Sequence, residues 1–212
     1  MDKIPVVTID GPSSSGKGTV GAALAKELGW HFLDSGAFYR KLALAALQKK
    51  IPLDDEAQLV QAALNLDFTI DPGIAIRTAA CSEAASKISV FLKVREALLA
   101  RQREFCRMPG LIADGRDMGT VVFPDALCKI FLEASVEERA KRRFLQLKEM
   151  GLSVTLEDLL ADMADRDARD RGRVVAPLKA AEDAVIIDTT ALGTKDVIER
   201  IKREIKRRLR DF

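Results

Sequence analysis

The most constraining stretch of the chain is Gly11-Pro12-Ser13-Ser14-Ser15-Gly16-Lys17-Gly18-Thr19, lodged between an apolar, β-branched run at 4–9 and a helix-forming segment at 19–28. Glycines at this spacing let successive backbone N–H groups turn inward and form an anion nest. The helix that follows aims its positive end at the same point. The phosphate-loop pattern G-x-x-x-x-G-K-(S/T) is met at Gly11, Gly16 and Lys17; Gly18 then intervenes, and the hydroxyl comes one place later, at Thr19. Ser13, Ser14, Ser15 and Gly18 complete the expected phosphate-binding set. Lys17 supplies a mobile charge for β- and γ-phosphates, and Thr19 or a nearby serine can ligate Mg²⁺. A plain serine- and glycine-rich turn is the alternative, and the strand before it and the helix after it argue against that. The loop alone narrows the ligand only to a nucleoside triphosphate or similar, which covers kinases, GTPases and ATPases.

The rest of the chain alternates strand and helix signals. A second strand at 30–33 follows Gly29, which reads as a helix C-cap. Helices are expected at 37–48 and 55–66, then a break at Asp71-Pro72-Gly73, then one long, mostly helical stretch over 78–106. Further strands read at 111–113, 128–132 and 185–187, with helices at 136–150, 156–171 and 195–210. This order predicts an α/β fold with a parallel five-stranded sheet covered on both faces. Ligands of such sheets bind at the carboxyl ends of the strands, and the segments there are the polar ones: 10–19, 34–40 and 114–117.

Composition excludes several classes. A chain of 212 residues, 48% hydrophobic and 31% charged, has the apolar mass for a core, so it is not disordered, collagen-like or a disulfide scaffold. A net charge of +2 gives no global pull toward nucleic acid or anionic lipid. Cys81, Cys106 and Cys128 cannot all pair and read as reduced thiols. No apolar run approaches the roughly 18 residues of a membrane span, and residues 1–7 carry no signal-peptide pattern. The expectation is a cytoplasmic monomer that acts on small molecules, not on nucleic acid or membranes.

Phosphoryl transfer needs charge neutralisation, in-line positioning and exclusion of water. A kinase therefore needs an acceptor site opposite the phosphate loop and a cationic lid. Asp34-Ser35-Gly36 with Tyr39-Arg40 and Asp114-Gly115-Arg116-Asp117 follow strands and offer two arginines, whose forks match phosphate oxygens; salt bridges to the neighbouring aspartates are the alternative. Arg139, Lys141, Arg142 and Arg143, then the alternating run 165–173 ahead of a hinge at 172–177, offer a lid. A solvated, salt-bridged helix face is the alternative there.

Taken together, Gly-Pro-Ser-x-x-Gly-Lys-Gly-Thr at 11–19, Leu-Asp-Ser-Gly at 33–36 with Tyr39-Arg40, Ile-Ala-Asp-Gly-Arg-Asp-Met-Gly-Thr at 112–120 and Arg-Asp-x-Arg-Asp-Arg-x-Arg at 166–173 resemble the bacterial cytidylate kinases. The resemblance runs from Ile4 to the last strand. It implies a three-layer P-loop kinase fold with an acceptor-binding insert and a lid, and ATP-dependent phosphorylation of CMP or dCMP with Mg²⁺, in pyrimidine nucleotide metabolism. It implies a core at about 1–35, 108–150 and 178–212, an acceptor lobe at about 36–107 and a lid at about 151–177. Carried over by position, Ser86, Arg95 and Asp117 contact cytosine. Arg40 and Arg116 hold the acceptor phosphate with Tyr39 beside it, Arg166 and Asp170 reach the ribose with Arg173 near them, and Ser35 completes the CMP-binding set. Lys17, Arg116 and Arg166 carry catalysis, and Thr19 and Asp34 are candidates for the metal. Asp117 suits cytosine's exocyclic amine, a donor; uracil would face it with a carbonyl. One departure stands out: the stretch 68–78 is too short for the small stranded insert usual before Ile76-Arg77-Thr78.

Three features read as background. His31 is expected to be a core or edge residue, not a base. No His/Cys cluster points to zinc. The basic C-terminal run around Lys206 reads as the solvated face of a helix whose buried stripe is Val197, Ile201, Ile205 and Leu209. The rivals are a kinase for another nucleoside monophosphate or a GTP-binding switch, for which Thr194-Lys195-Asp196-Val197 nearly matches a guanine-reading element.

Overall fold

The apolar run that precedes the phosphate loop becomes the central strand of the molecule. In the computed structural model, which describes residues 4–68, 70 and 73–209, strand β1 (Val6–Asp10) is buried at every residue. Around it lie β2 (His31–Asp34), β3 (Leu111–Gly115), β4 (Cys128–Glu133) and β5 (Val185–Asp188), in the order β2-β3-β1-β4-β5. β1 runs parallel to β3 and β4, and β4 to β5. The register sets Ile9 beside Asp114 and Asp10 beside Gly115. Thus the residue before the phosphate loop and the Asp-Gly-Arg-Asp turn emerge at the same end of the sheet.

The chain divides into two compact units, one of residues 1–32 and 106–212, the other of 33–105. In the first, helices α1 (Lys17–Leu28) and α8 (Thr194–Leu209) cover the sheet. Their apolar faces close a core of Val7, Ile9, Leu24, Ile112, Ile130, Leu132, Val197, Ile201 and Ile205. Each such aliphatic side chain, fully buried, stabilises the fold by about 1.5–3 kcal/mol. The expected stripe of α8 is buried except at its end, where Leu209 is 40% exposed, one turn beyond the sheet's cover. Helices α6 (Val136–Glu149) and α7 (Leu156–Arg171) pack on each other through Ala140, Leu147, Leu159 and Met163. They are capped by Ser135 and Thr155. The expected lid stretch lies in this unit.

The second unit holds α2 (Ser35–Gln48), α3 (Glu56–Leu64), a 3-10 turn at Gly73–Arg77, α4 (Ala79–Ile88) and α5 (Leu92–Arg103). Here the structure corrects the sequence reading. The stretch 78–106 is two helices, broken at Ser89-Val90-Phe91. No glycine or proline marks that break. Buried Ile88 and Val94 on either side, and Phe91 in extended backbone as the N-cap of α5, turn the chain there instead. Phe38 stacks on Phe68 at 4.7 Å and meets Phe105 edge-on at 5.6 Å, an aromatic cluster at one end of the unit. Met1 to Lys3, Thr69, Asp71, Pro72 and Arg210, which figure in the readings above, lie outside the described residues.

Candidate active site

The phosphate loop takes the form its composition predicts. Gly11 has φ +152°, and a Cβ there would lie 2.2 Å from the Leu132 carbonyl oxygen, so only glycine fits. Gly16, at φ +93°, turns the chain into α1. Gly18 and Thr19 belong to the first helical turn, and Thr19 is exposed. Lys17 is buried, and its Nζ donates to the Pro12 carbonyl at 2.8 Å across the loop. The Ser13 and Ser15 hydroxyls are buried with no hydrogen-bond partner. Such orphaned oxygens are costly in a protein interior, and they suit a ligand rich in oxygens.

Thr189, which the sequence reading did not single out, and Arg139 and Arg142, which it read as part of a lid, hold the loop. Thr189, just past β5, donates to the Ser15 carbonyl at 3.2 Å and to that of Glu133 at 2.9 Å. Arg142 donates to the Thr189 hydroxyl at 3.1 Å and to its carbonyl at 2.6 Å. Arg139, 3% exposed, donates to the Ser13 carbonyl at 3.3 Å and forks onto Asp167 at 2.5 and 3.2 Å. One guanidinium thereby ties the phosphate loop, α6 and α7 together. The expectation of charged faces on α6 and α7 is thus met in part by buried, paired charges; Lys141 remains exposed.

At the end of β3, Arg116 donates through Nε to Asp170 at 2.9 Å and through Nη1 to the Gly115 carbonyl at 3.2 Å. Asp170, 1% exposed, also accepts from Arg173. Burial alone would raise the Asp170 carboxyl, but Arg116, Arg173 and Arg166 outweigh it and hold the group below the usual carboxylate range. The same pairing raises Arg116 further against its own desolvation. Asp114 and Asp117 are both buried, and Asp114 presents an oxygen 3.1 Å from where a Cβ of Gly18 would stand. Asp10, 4% exposed, accepts from the Met118 and Gly119 amides at 2.8 Å each. Burial is the main cause pushing its carboxyl up to about 7, against those two amides and with Asp117 and Asp114 adding to the rise.

In the second unit, Asp34 caps α2 by accepting from Ala37 at 3.0 Å and pairs with Arg40 at 2.7 Å. Ser35 and Tyr39 are buried on the same helix. Arg95, 8% exposed, donates to the Ser89 carbonyl at 3.0 Å and lies over the Tyr39 ring at 5.7 Å. The Ser89 hydroxyl donates to the Ser86 carbonyl at 2.8 Å. Ser86 and Arg95, on different helices, are therefore linked through Ser89, a residue with no signal of its own in the sequence.

Among the described residues no group of three or more His, Cys, Asp or Glu is set to hold a metal ion. A magnesium ion that arrives with nucleotide phosphates needs few protein ligands. The orphaned serine hydroxyls and exposed Thr19 fit that role, while the two oxygens of Asp34 accept from Ala37 and Arg40. His31 is exposed and bonds through Nε2 with the Met108 carbonyl at 2.9 Å. Thr194-Lys195-Asp196-Val197 opens α8 and forms its first turn. All three cysteines are free thiols, Cys81 and Cys128 buried. No helix among the described residues is long and apolar enough to cross a membrane.

Comparison with known proteins gives a consistent answer. In fold, the chain is similar to a gluconokinase of Sinorhizobium meliloti 1021 (TM-score 0.50, 18% identity, covering 97% of this chain and 94% of the other). In sequence it is 54% identical over 221 residues to the cytidylate kinase of Aeromonas salmonicida, covering 98% of this chain and 96% of the relative. It is 51% identical over 225 residues to that of Shewanella loihica, covering 99% and 98%. Both alignments are longer than the 212-residue chain, so these relatives carry residues without a counterpart here. The family model for cytidylate kinase matches residues 7–207, from the central strand to the last helix. With a parallel sheet, a glycine-turned phosphate loop and a cluster of arginines at one sheet end, the chain belongs to the cytidylate kinase family.

Proposed function

We propose that this protein transfers the γ-phosphoryl group of ATP to CMP or dCMP, giving ADP and CDP or dCDP. The observation that carries this is identity of about half the residues to proteins named cytidylate kinase over nearly the whole chain. Neither a kinase for another monophosphate nor a GTP-binding switch is favoured by these relatives.

Transfer of this kind depends on positioning and charge, not on covalent chemistry by the protein. The phosphate loop binds the ATP phosphates through Gly11 to Thr19, with Lys17 leaving the Pro12 carbonyl to meet them. Mg²⁺, held by Thr19 and the neighbouring serines, would neutralise phosphate charge when bound. Arg116 and Arg166 steady charge on the transferred group. Ser35, Tyr39, Arg40 and Arg116 hold the acceptor phosphate; both arginines now rest on carboxylates, Asp34 and Asp170, which a phosphate can replace because the same guanidinium fork fits either. Asp117 accepts from the cytosine amine, and Arg95 and Ser86 donate to its ring acceptors. Asp170, Arg166 and Arg173 lie with the ribose. The lid proposed at about 151–177 would exclude water as it closes.

The test is an ADP-release assay with CMP, dCMP, UMP, AMP and GMP as acceptors. CMP and dCMP are expected to be turned over best. A better rate with another monophosphate overturns the acceptor assignment, and slow GTP hydrolysis with no acceptor turned over overturns the kinase reading itself.

A further inference from the structure

The phosphoryl-transfer roles leave two buried carboxylates, Asp10 and Asp114, without a task, and the contacts of Asp10 are the more telling. Asp10 ends the central strand, immediately before Gly11 and directly beside Gly115 in the register of β1 and β3. Its two oxygens take the amides of Met118 and Gly119, one each, at 2.8 Å. The Met118 amide and the Asp117 carbonyl belong to one planar peptide group. That carbonyl in turn accepts from Val121 at 2.9 Å and Val122 at 3.2 Å, within the single π-helical turn Met118–Val122. The peptide after Asp117 is therefore held at both of its ends, by Asp10 on the N–H side and by the turn on the carbonyl side.

We propose that Asp10 is a positioning residue for base discrimination: by pinning the peptide after Asp117 it fixes the direction in which the Asp117 carboxylate is presented to the ring. The inference rests on the reading of Asp117 as the cytosine contact. A neutral side chain of similar size offers fewer acceptors for two adjacent amides. Burial opposes the charge of this aspartate and pushes its carboxyl up to about 7. Two successive backbone amides converging on one buried carboxyl, next to the residue read as the base contact, fix the geometry of this turn. Carboxylate specificity for an amine over a carbonyl requires placement to within a few tenths of an ångström.

The test uses the full chain and reads kcat/KM for CMP and UMP together with KM for ATP. In Asp10→Asn, one amide loses its acceptor and faces an NH₂ group. The CMP-over-UMP ratio should fall about tenfold, the effect of one lost charge-assisted hydrogen bond. KM for ATP should stay within about twofold, a split that loss of global stability would not produce. In an Asp117→Ala background the same substitution should leave the ratio unchanged, because the residue it positions is gone. Gly119→Ala attacks the contact from the other side: its Cβ would stand 2.8 Å from the Thr8 hydroxyl and 3.2 Å from the Lys129 side chain, so the backbone that carries the Gly119 amide is crowded where it meets Asp10. It should lower the ratio likewise, and it carries the test if Asp10→Asn does not fold. An undiminished ratio in the folded variants, or a further drop in the Asp117→Ala background, overturns the proposal. A wild-type protein with no preference for CMP over UMP instead overturns the reading of Asp117.

Discussion

The Arg116–Asp170–Arg173 cluster of the first unit and the Arg95–Ser89–Ser86 chain of the second hold their arginines in opposite ways. Arg116 and Arg173 rest on a carboxylate that is almost fully buried. Arg95 rests on a backbone carbonyl and the face of an aromatic ring. A carboxylate mimics a phosphate, so a guanidinium parked on one is already shaped for the other and can exchange partners. A carbonyl and a ring face set direction without competing with an anion. Arg40, parked on Asp34, sides with the first group although it belongs to the second unit. For Arg116, Arg40 and Arg95 the division follows the ligand group proposed for each, phosphate or base, and not the unit it sits in; Arg173, proposed for the ribose, shares Asp170 with Arg116.

The comparison can be broken in three ways, from the largest effect down. Arg116→Ala removes the exchangeable charge, and kcat/KM for CMP should fall by about 10³-fold, the scale of an arginine that stabilises transferred phosphoryl charge. Steady-state kinetics check this, and a loss below tenfold would show that Arg116 serves only the ion pair. Asp170→Asn leaves two guanidinium groups facing an uncharged partner and should cost about 3 kcal/mol of stability by denaturant unfolding. The sign of its pH dependence follows from the depressed carboxyl. That contribution is present above the unfolded value of 3.8 and is lost as the pH falls through the lower folded value. The gap between wild type and Asp170→Asn should therefore narrow in acid; a gap that widens there would refute the ion-pair account. Asp10 has the opposite sign, its raised carboxyl weakening the fold as the pH climbs from 3.8 to about 7. Smallest is Arg95→Lys, which keeps the charge but loses the planar fork that lies over the Tyr39 ring. KM for CMP should rise about tenfold with KM for ATP unchanged; equal rises in both would place Arg95 outside base recognition.

Much of the scaffold was legible because its signals are local. The strand–loop–helix at 6–28 rests on glycine positions and an apolar run, and the end of α1 on Gly29, whose φ of +67° suits the left-handed cap that the sequence predicts. Within α8, Val197, Ile201 and Ile205 face the core because their spacing leaves no other side for them. The break at Ser89-Val90-Phe91 was not legible, since none of those residues forbids a helix. Nor was the turn at Met118–Val122, whose wide hydrogen bonds need Asp10, more than a hundred positions earlier, to hold its first amides.

The candidate site divides along the same line. The glycine-turned loop at 11–19 was visible because contiguous residues carry it. The loop-holding contacts of Arg139, Asp167 and Thr189 were not, although Arg139 and the run that holds Asp167 were read as lid candidates, because each contact joins residues from 28 to 174 positions apart in sequence. Sequence by itself determined the order of strands and helices, the loop and the residue types available to it, since those depend on neighbours along the chain. Only the tertiary structure decided which arginine rests on an acid and which on a ring, because burial and pairing are set by residues that folding alone brings within a few ångströms.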